Sequence, residues 1–267
     1  MVDITQIDYR VLDRPEILSF LFYPRREDGF LKPAETARDI QIPVDEHVTI
    51  GARFHHARTE APTILFFHGN GEIVADYDEI GPLYVQKGIN FLPVDYRGYG
   101  RSTGTPTVTA MMRDCHIIFA YVLDWLAEGG YTGPLVVMGR SLGSASALEL
   151  AAHYRDRIAG LIIESGFAYL MPLLRLIGVS PLRMGISEED GCQNIQKIRT
   201  FDRPTLIIHA QFDQIIPFAD GEALYKAGGA GDKRLLMIPG ADHNTIFMRG
   251  FQDYMAAIGD FLKRIAG

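Results

Sequence analysis

Val136-Val137-Met138-Gly139-Arg140-Ser141-Leu142-Gly143 leads without a break into Ser144-Ala145-Ser146-Ala147-Leu148-Glu149-Leu150. The first stretch is a short β-branched run entering a Gly-x-Ser-x-Gly turn, and the second is a small-residue helix former. Residues 134–138 therefore read as a strand and 142–155 as a helix, the context that a nucleophile elbow requires. A serine in such a turn takes a strained backbone so that its hydroxyl stands clear of the sheet. Gly139 and Gly143 remove side chains where strand and helix pass closely. The helix N-terminus behind Ser141 offers free N–H groups and a positive dipole end to a developing oxyanion. An ordinary Gly-rich loop has the same five letters, so the rest of the chain must decide.

Around the elbow the chain alternates strands with helices, the rhythm of a parallel sheet. Strands are expected at 62–67, 89–96, 158–164, 204–209 and 234–238, with Pro93 awkward because it cannot donate to a ladder. Two earlier runs, 39–43 and 47–56, alternate well enough to form an antiparallel pair. A helix is expected over 73–86. Val108, Met111, Met112, Cys115, Ile118, Phe119, Val122 and Leu126 repeat at helical spacing, so Cys115 reads as a core thiol. Residues 246–262 form a terminal helix with a wide apolar face. Residues 165–200 separate two strands by far more than a usual connection, and their first half is rich in large apolar side chains. This segment is expected to be a lid or cap, with a helix merely packed on the body as the alternative.

Length and composition bound the possibilities. The chain has 267 residues, 47 % hydrophobic and 22 % charged, which suits one globular α/β domain over 1–267. A net charge of −7 speaks against a nucleic-acid partner, which needs a basic face. Cys115 and Cys192 lack metal-type spacing, so neither a disulfide framework nor a zinc site is expected, and reduced thiols point to the cytoplasm. Residues 17–23 are apolar but too short to span a bilayer, and Asp8, Asp13 and Glu16 precede them where a signal peptide would be basic. They should pack on the body or lie near a pocket mouth. Any membrane contact is at most peripheral.

A serine hydroxyl needs a base, and the base needs a carboxylate to fix its tautomer. Asp213 follows the strand at 204–209 and His243 follows the strand at 234–238, each beyond the carboxyl end of a parallel strand, where sites in open α/β sheets form. Glu164, after the preceding strand, is the rival acid, and Asp242 can simply shape the turn. His55, His56, His116 and His153 have no motif around them and read as surface or packing residues. His209 lies within a strand and reads as a buried, hydrogen-bonded histidine. The backbone N–H of Asn70, in His68-Gly69-Asn70-Gly71, would pair with that of Leu142 as an oxyanion hole.

Taken together, these residues resemble an α/β-hydrolase of the serine-hydrolase type, nearest the ABHD-like and serine-aminopeptidase-like branches. His68-Gly69-Asn70-Gly71 resembles the family's oxyanion loop. Asp95-Tyr96-Arg97-Gly98-Tyr99-Gly100-Arg101-Ser102 resembles its structural loop beside the site. The likeness covers roughly residues 40–265 and departs at Gly71-Glu72, where Ala-Gly is usual, and at Ala210, where glycine is common. It implies an eight-stranded, mostly parallel sheet flanked by helices, with a lid after strand six. The expected reaction is hydrolysis of a carboxylic ester or thioester by Ser141, His243 and Asp213, acting on a small-molecule acyl substrate without cofactor or metal. A peptidase or amidase of the serine-aminopeptidase type, and an inactive hydrolase fold that only binds ligand, are the alternatives.

Overall fold

A computed structural model of the chain describes residues 3, 4, 6–27 and 37–266. Among these, eight strands form one sheet in the order β1-β2-β4-β3-β5-β6-β7-β8. They are β1 (Ala37–Asp45), β2 (Val48–His55), β3 (Thr63–Phe67), β4 (Asn90–Val94), β5 (Leu135–Arg140), β6 (Gly160–Glu164), β7 (Thr205–Ala210) and β8 (Lys233–Ile238). β1 with β2 and β2 with β4 are antiparallel, and the other neighbours are parallel. The helices are α1 (Pro15–Leu21), α2 (Gly81–Gln86), α3 (Val108–Glu128), α4 (Gly143–His153), α5 (Leu170–Leu176), α6 (Asn194–Thr200), α7 (Phe218–Ala227) and α8 (Ile246–Ala266). No described helix is long and apolar enough to cross a membrane.

The strand pattern sets the layers. Along β3, Ile64 and Phe66 face one side of the sheet, and Leu65 and Phe67 the other. The first side is covered by Tyr84 of α2 and by Tyr254, Met255, Ile258, Phe261 and Leu262 of α8. The second is covered by α3, α4 and α6, and there Cys115 is buried as a free thiol. Each such large side chain contributes about 1.5–3 kcal/mol by leaving water. Pro93 is tolerated because β4 registers with β3 all along its length, whereas its pairing with β2 is confined to Ala52↔Val94 and His55↔Phe91.

Two expectations change. The helix over 73–86 is broken into a 3₁₀ turn (Val74–Tyr77) and α2. Asp76 and Asp95 take the Ile73 and Val74 amides, and the Asp78 carboxylate turns away to Arg53 at 2.6 Å. Pro82 has no N–H to continue a helix and is accepted only because it starts one. The long connection at 165–200 divides in two. α6 packs on α4 as an ordinary crossover helix, while α5 buries Leu170, Met171 and Leu174 and brings Leu173 to a cavity that Ser141 also borders.

Candidate active site

Ser141 follows the last residue of β5 with φ 49°, a left-handed conformation that costs a non-glycine residue about 1–3 kcal/mol. Its surroundings enforce it. The Ser141 amide donates to Glu164 O at 2.9 Å, and Ser144 Oγ returns a bond to Ser141 O at 2.6 Å. A methyl group on Gly143 would stand 2.1 Å from Phe67 O, and one on Gly139 would stand 2.3 Å from Gly143 O. The close approach of α4 to β5 at Gly139 and to β3 at Gly143 therefore demands both glycines.

The acid and the histidine arrive on two loops tied to each other. Phe212 N donates to Ala241 O at 2.8 Å, and Gln211 N to Ile238 O at 3.1 Å. His243 Nδ1 lies 2.7 Å from Asp213 Oδ2, and His243 Nε2 lies 3.0 Å from Ser141 Oγ. Asp213 Oδ1 accepts the Ile215 and Ile216 amides at 3.0 and 2.8 Å. Burial pushes the Asp213 carboxyl up, but the hydrogen bond and charge of His243 and the Ile216 amide bring it below the usual carboxylate range. An ionised carboxylate only accepts, so His243 Nδ1 carries the hydrogen and Nε2 keeps its lone pair for the serine.

The two predicted oxyanion donors flank this line. Asn70 and Leu142 border a cavity of about 230 Å³ together with Ser141 and His243, its other walls including Phe20, Leu21, Leu173, Ile177 and Ile215. Asn70 Oδ1 accepts from Tyr99 OH and from the Tyr23 amide, both at 2.7 Å, which pins the loop that bears the Asn70 N–H. Asp95 anchors the same loop from below, lying 3.3 Å from His68 Nε2.

A family profile described as serine aminopeptidase matches residues 59–179. Protein bem46 of Schizosaccharomyces pombe is 27 % identical over 227 residues, covering 83 % of this chain and 73 % of that protein. Alpha/beta hydrolase domain-containing protein 17B of Homo sapiens is 29 % identical over 216 residues, covering 76 % of this chain and 66 % of that protein. Among solved structures, the Pyrococcus furiosus esterase Pf2001 matches with a TM-score of 0.74 at 18 % identity, over 91 % of this chain and 99 % of that one. The chain has the α/β-hydrolase fold.

In this arrangement the rival acid is already committed. Glu164 accepts from Arg140 Nη1 at 2.7 Å and from Tyr254 OH at 2.6 Å. Asp242 caps its own turn by accepting the Asn244 and Thr245 amides. His209 is buried, and its Nε2 is satisfied by Ile216 O at 2.8 Å.

Sequence reading missed the part played by Arg140 and Glu72. Arg140, the variable residue ahead of the serine, sends Nε to Glu72 at 2.7 Å, Nη1 to Glu164, and Nη2 to the His243 carbonyl at 2.9 Å. Glu72 in turn accepts the Gly69 amide and Tyr77 OH, each at 2.7 Å. One guanidinium thus joins the elbow, the oxyanion loop and the histidine loop. The signal available in the sequence was the acid at 72 where the family has a small residue, paired with an arginine inside the elbow. The apolar residues 17–23, expected to pack on the body or near a pocket mouth, do both. α1 brings Phe20 and Leu21 to the cavity.

Two carboxylates give the fold an acid limit. Burial raises Glu72, but the Arg140 charge and the Tyr77 and Arg140 hydrogen bonds outweigh it, lowering the pKa from 4.5 to about 2. Glu149 is lowered from 4.5 to about 2 in the same way, burial being outweighed by His116 and Lys197. A depressed folded pKa stabilises above the unfolded value and loses that stability as pH falls through the folded one. The urea midpoint is expected to drop as pH falls from 4.5 towards about 2, where these two groups protonate. A midpoint flat across that window, measured by fluorescence or circular dichroism, would contradict both pairings.

Proposed function

We propose that this hydrolase cleaves carboxylic esters or thioesters of a small-molecule acyl substrate through an acyl-enzyme. Ser141 attacks the acyl carbon while His243 Nε2 takes its proton. Asp213 stabilises the imidazolium, which then protonates the leaving group. The Asn70 and Leu142 amides hold the oxyanion, and a water activated by His243 releases the acid and restores Ser141. The supporting observation is the unbroken line from Asp213 to His243 at 2.7 Å and on to Ser141 at 3.0 Å, opening on the cavity.

The family description favours an amide or peptide substrate, and the cavity walls speak against it. An aminopeptidase must neutralise the ammonium group of its substrate. Glu72 is the one carboxylate among the described lining residues, and Arg140, Tyr77 and the Gly69 amide already occupy it. Leu173 of α5 and Ile177 just beyond it, with Phe20 of α1, offer apolar contact to an acyl chain instead. In this reading residues 165–176 cover the bound chain as a lid. The two free, buried cysteines agree with a reducing compartment such as the cytoplasm.

A fluorophosphonate probe should label the wild type at Ser141 and leave Ser141→Ala unlabelled. That variant should lose about 10⁶-fold in kcat on p-nitrophenyl acyl esters. An unlabelled wild type would sink the mechanism, and faster turnover of aminoacyl amides than of esters would sink the substrate class.

A further inference from the structure

Away from the active site, two histidines with no motif around them meet over one carboxylate. α3 supplies His116, and α4 supplies Glu149 and His153 one turn apart on the same face. One ligand atom from each lies within 4.8 Å of the other two. Glu149 Oε1 stands 3.3 Å from His116 Nε2 and 3.7 Å from His153 Nδ1. A tetrahedral ion with bonds of about 2.0–2.1 Å holds its ligand atoms about 3.3 Å apart, so these two separations are close to those of a filled shell.

The remaining atoms of the cluster are held as outer-shell partners hold metal ligands. Tyr9 OH donates to Glu149 Oε2 at 2.9 Å, and Lys197 pairs with the same oxygen. His116 Nδ1 lies 3.0 Å from Tyr154 OH. His153 Nδ1 now faces the Glu149 carbonyl oxygen at 2.9 Å, one ordinary hydrogen bond that coordination would replace. Both imidazoles are partly exposed, at 26 % and 21 %, so an ion and a fourth, water ligand can reach them.

We propose that His116, Glu149 and His153 form a divalent-cation site of the zinc class, joining α3 to α4. Two imidazoles and one carboxylate suit zinc or cobalt rather than magnesium or calcium, which prefer all-oxygen shells. Lys197 shares the carboxylate and repels the ion, so the affinity falls below that of a site with a free carboxylate. The ion would brace the helix whose N-terminus lies behind Ser141.

Zinc titrated into the full chain, followed by calorimetry, reads the site without any reference to turnover. One equivalent is expected in the wild type, with a thermal midpoint that rises with zinc. His116→Ala and His153→Ala should each lose that equivalent, and Tyr154→Phe should bind about tenfold more weakly. Glu149 is left in place because it neutralises buried Lys197. An ion held elsewhere, at His243 for instance, would survive in the double variant H116A/H153A. The same zinc stoichiometry in wild type and double variant, or none in either, overturns the proposal. Should the histidine variants fail to fold, cobalt added to the wild type decides: intense tetrahedral absorption bands support the site, and a weak octahedral spectrum refutes it.

Discussion

Asp213→Asn should lower kcat about 10⁴-fold while the chain stays folded. The reason is the direction of two hydrogen bonds. Asp213 Oδ1 accepts the Ile215 and Ile216 amides, at 3.0 and 2.8 Å, so an asparagine must keep its oxygen there. Its NH₂ then points at His243 Nδ1, which stands 2.7 Å from the other carboxylate oxygen. Faced with a donor, Nδ1 becomes the acceptor and the ring proton moves to Nε2. That nitrogen faces Ser141 Oγ at 3.0 Å and can no longer take the serine proton. Losing the charge also removes the partner of the imidazolium. Labelling by a fluorophosphonate should slow in parallel with kcat, since both need the serine oxygen activated. A loss of less than tenfold would mean that another group orients the histidine.

Arg140→Met should cost about 3–5 kcal/mol of stability, because it leaves the buried Glu164 and the partly buried Glu72 without their cation. Glu164 is 5 % exposed at its side chain and keeps only Tyr254 OH as a partner. Glu72 keeps Tyr77 OH and the Gly69 amide. The loss should reach catalysis too, since the His243 carbonyl loses its 2.9 Å anchor and the oxyanion loop loses the group that fixes Glu72. Lysine should rescue poorly, because a single ammonium cannot reach three directions at once. Urea denaturation of R140M against the triple variant E72Q/R140M/E164Q separates the two effects. Neutralising both acids should restore much of the stability and little of kcat. Wild-type stability in R140M would show that water solvates the acids, entering through the cavity of about 170 Å³ that Arg140, Glu72 and Glu164 border.

The strands were legible because burial writes itself into them. β3, β5, β6 and β7 are covered on both faces, so their sequences are short apolar runs that no exposed segment resembles. The predicted site residues were legible for a related reason. They follow strand ends, where a parallel sheet gathers its loops, and the elbow dictates its glycines by contact distance alone. The break at 78–80 was hidden because apolar spacing there fits a helix, and what opposes it comes from far along the chain. Asp95 takes an amide and Arg53 takes Asp78. For α1 the sequence left two places open, the body or a pocket mouth. Its apolar residues announce burial but not the surface they meet.

Local chemistry along the chain was enough to specify a strand–turn–helix bearing Ser141, an alternating α/β order, and loops bearing Asp213 and His243, since each depends on neighbours within a few residues. Folding in three dimensions was needed to set Asp213 against His243 and tie Glu164 to Arg140, to send Arg140 to three partners, and to bring His116 against Glu149 and His153. Those choices rest on hydrogen bonds between residues 24 to 103 positions apart. No short-range pattern encodes such pairs, because their energy exists only once the sheet has brought the loops together.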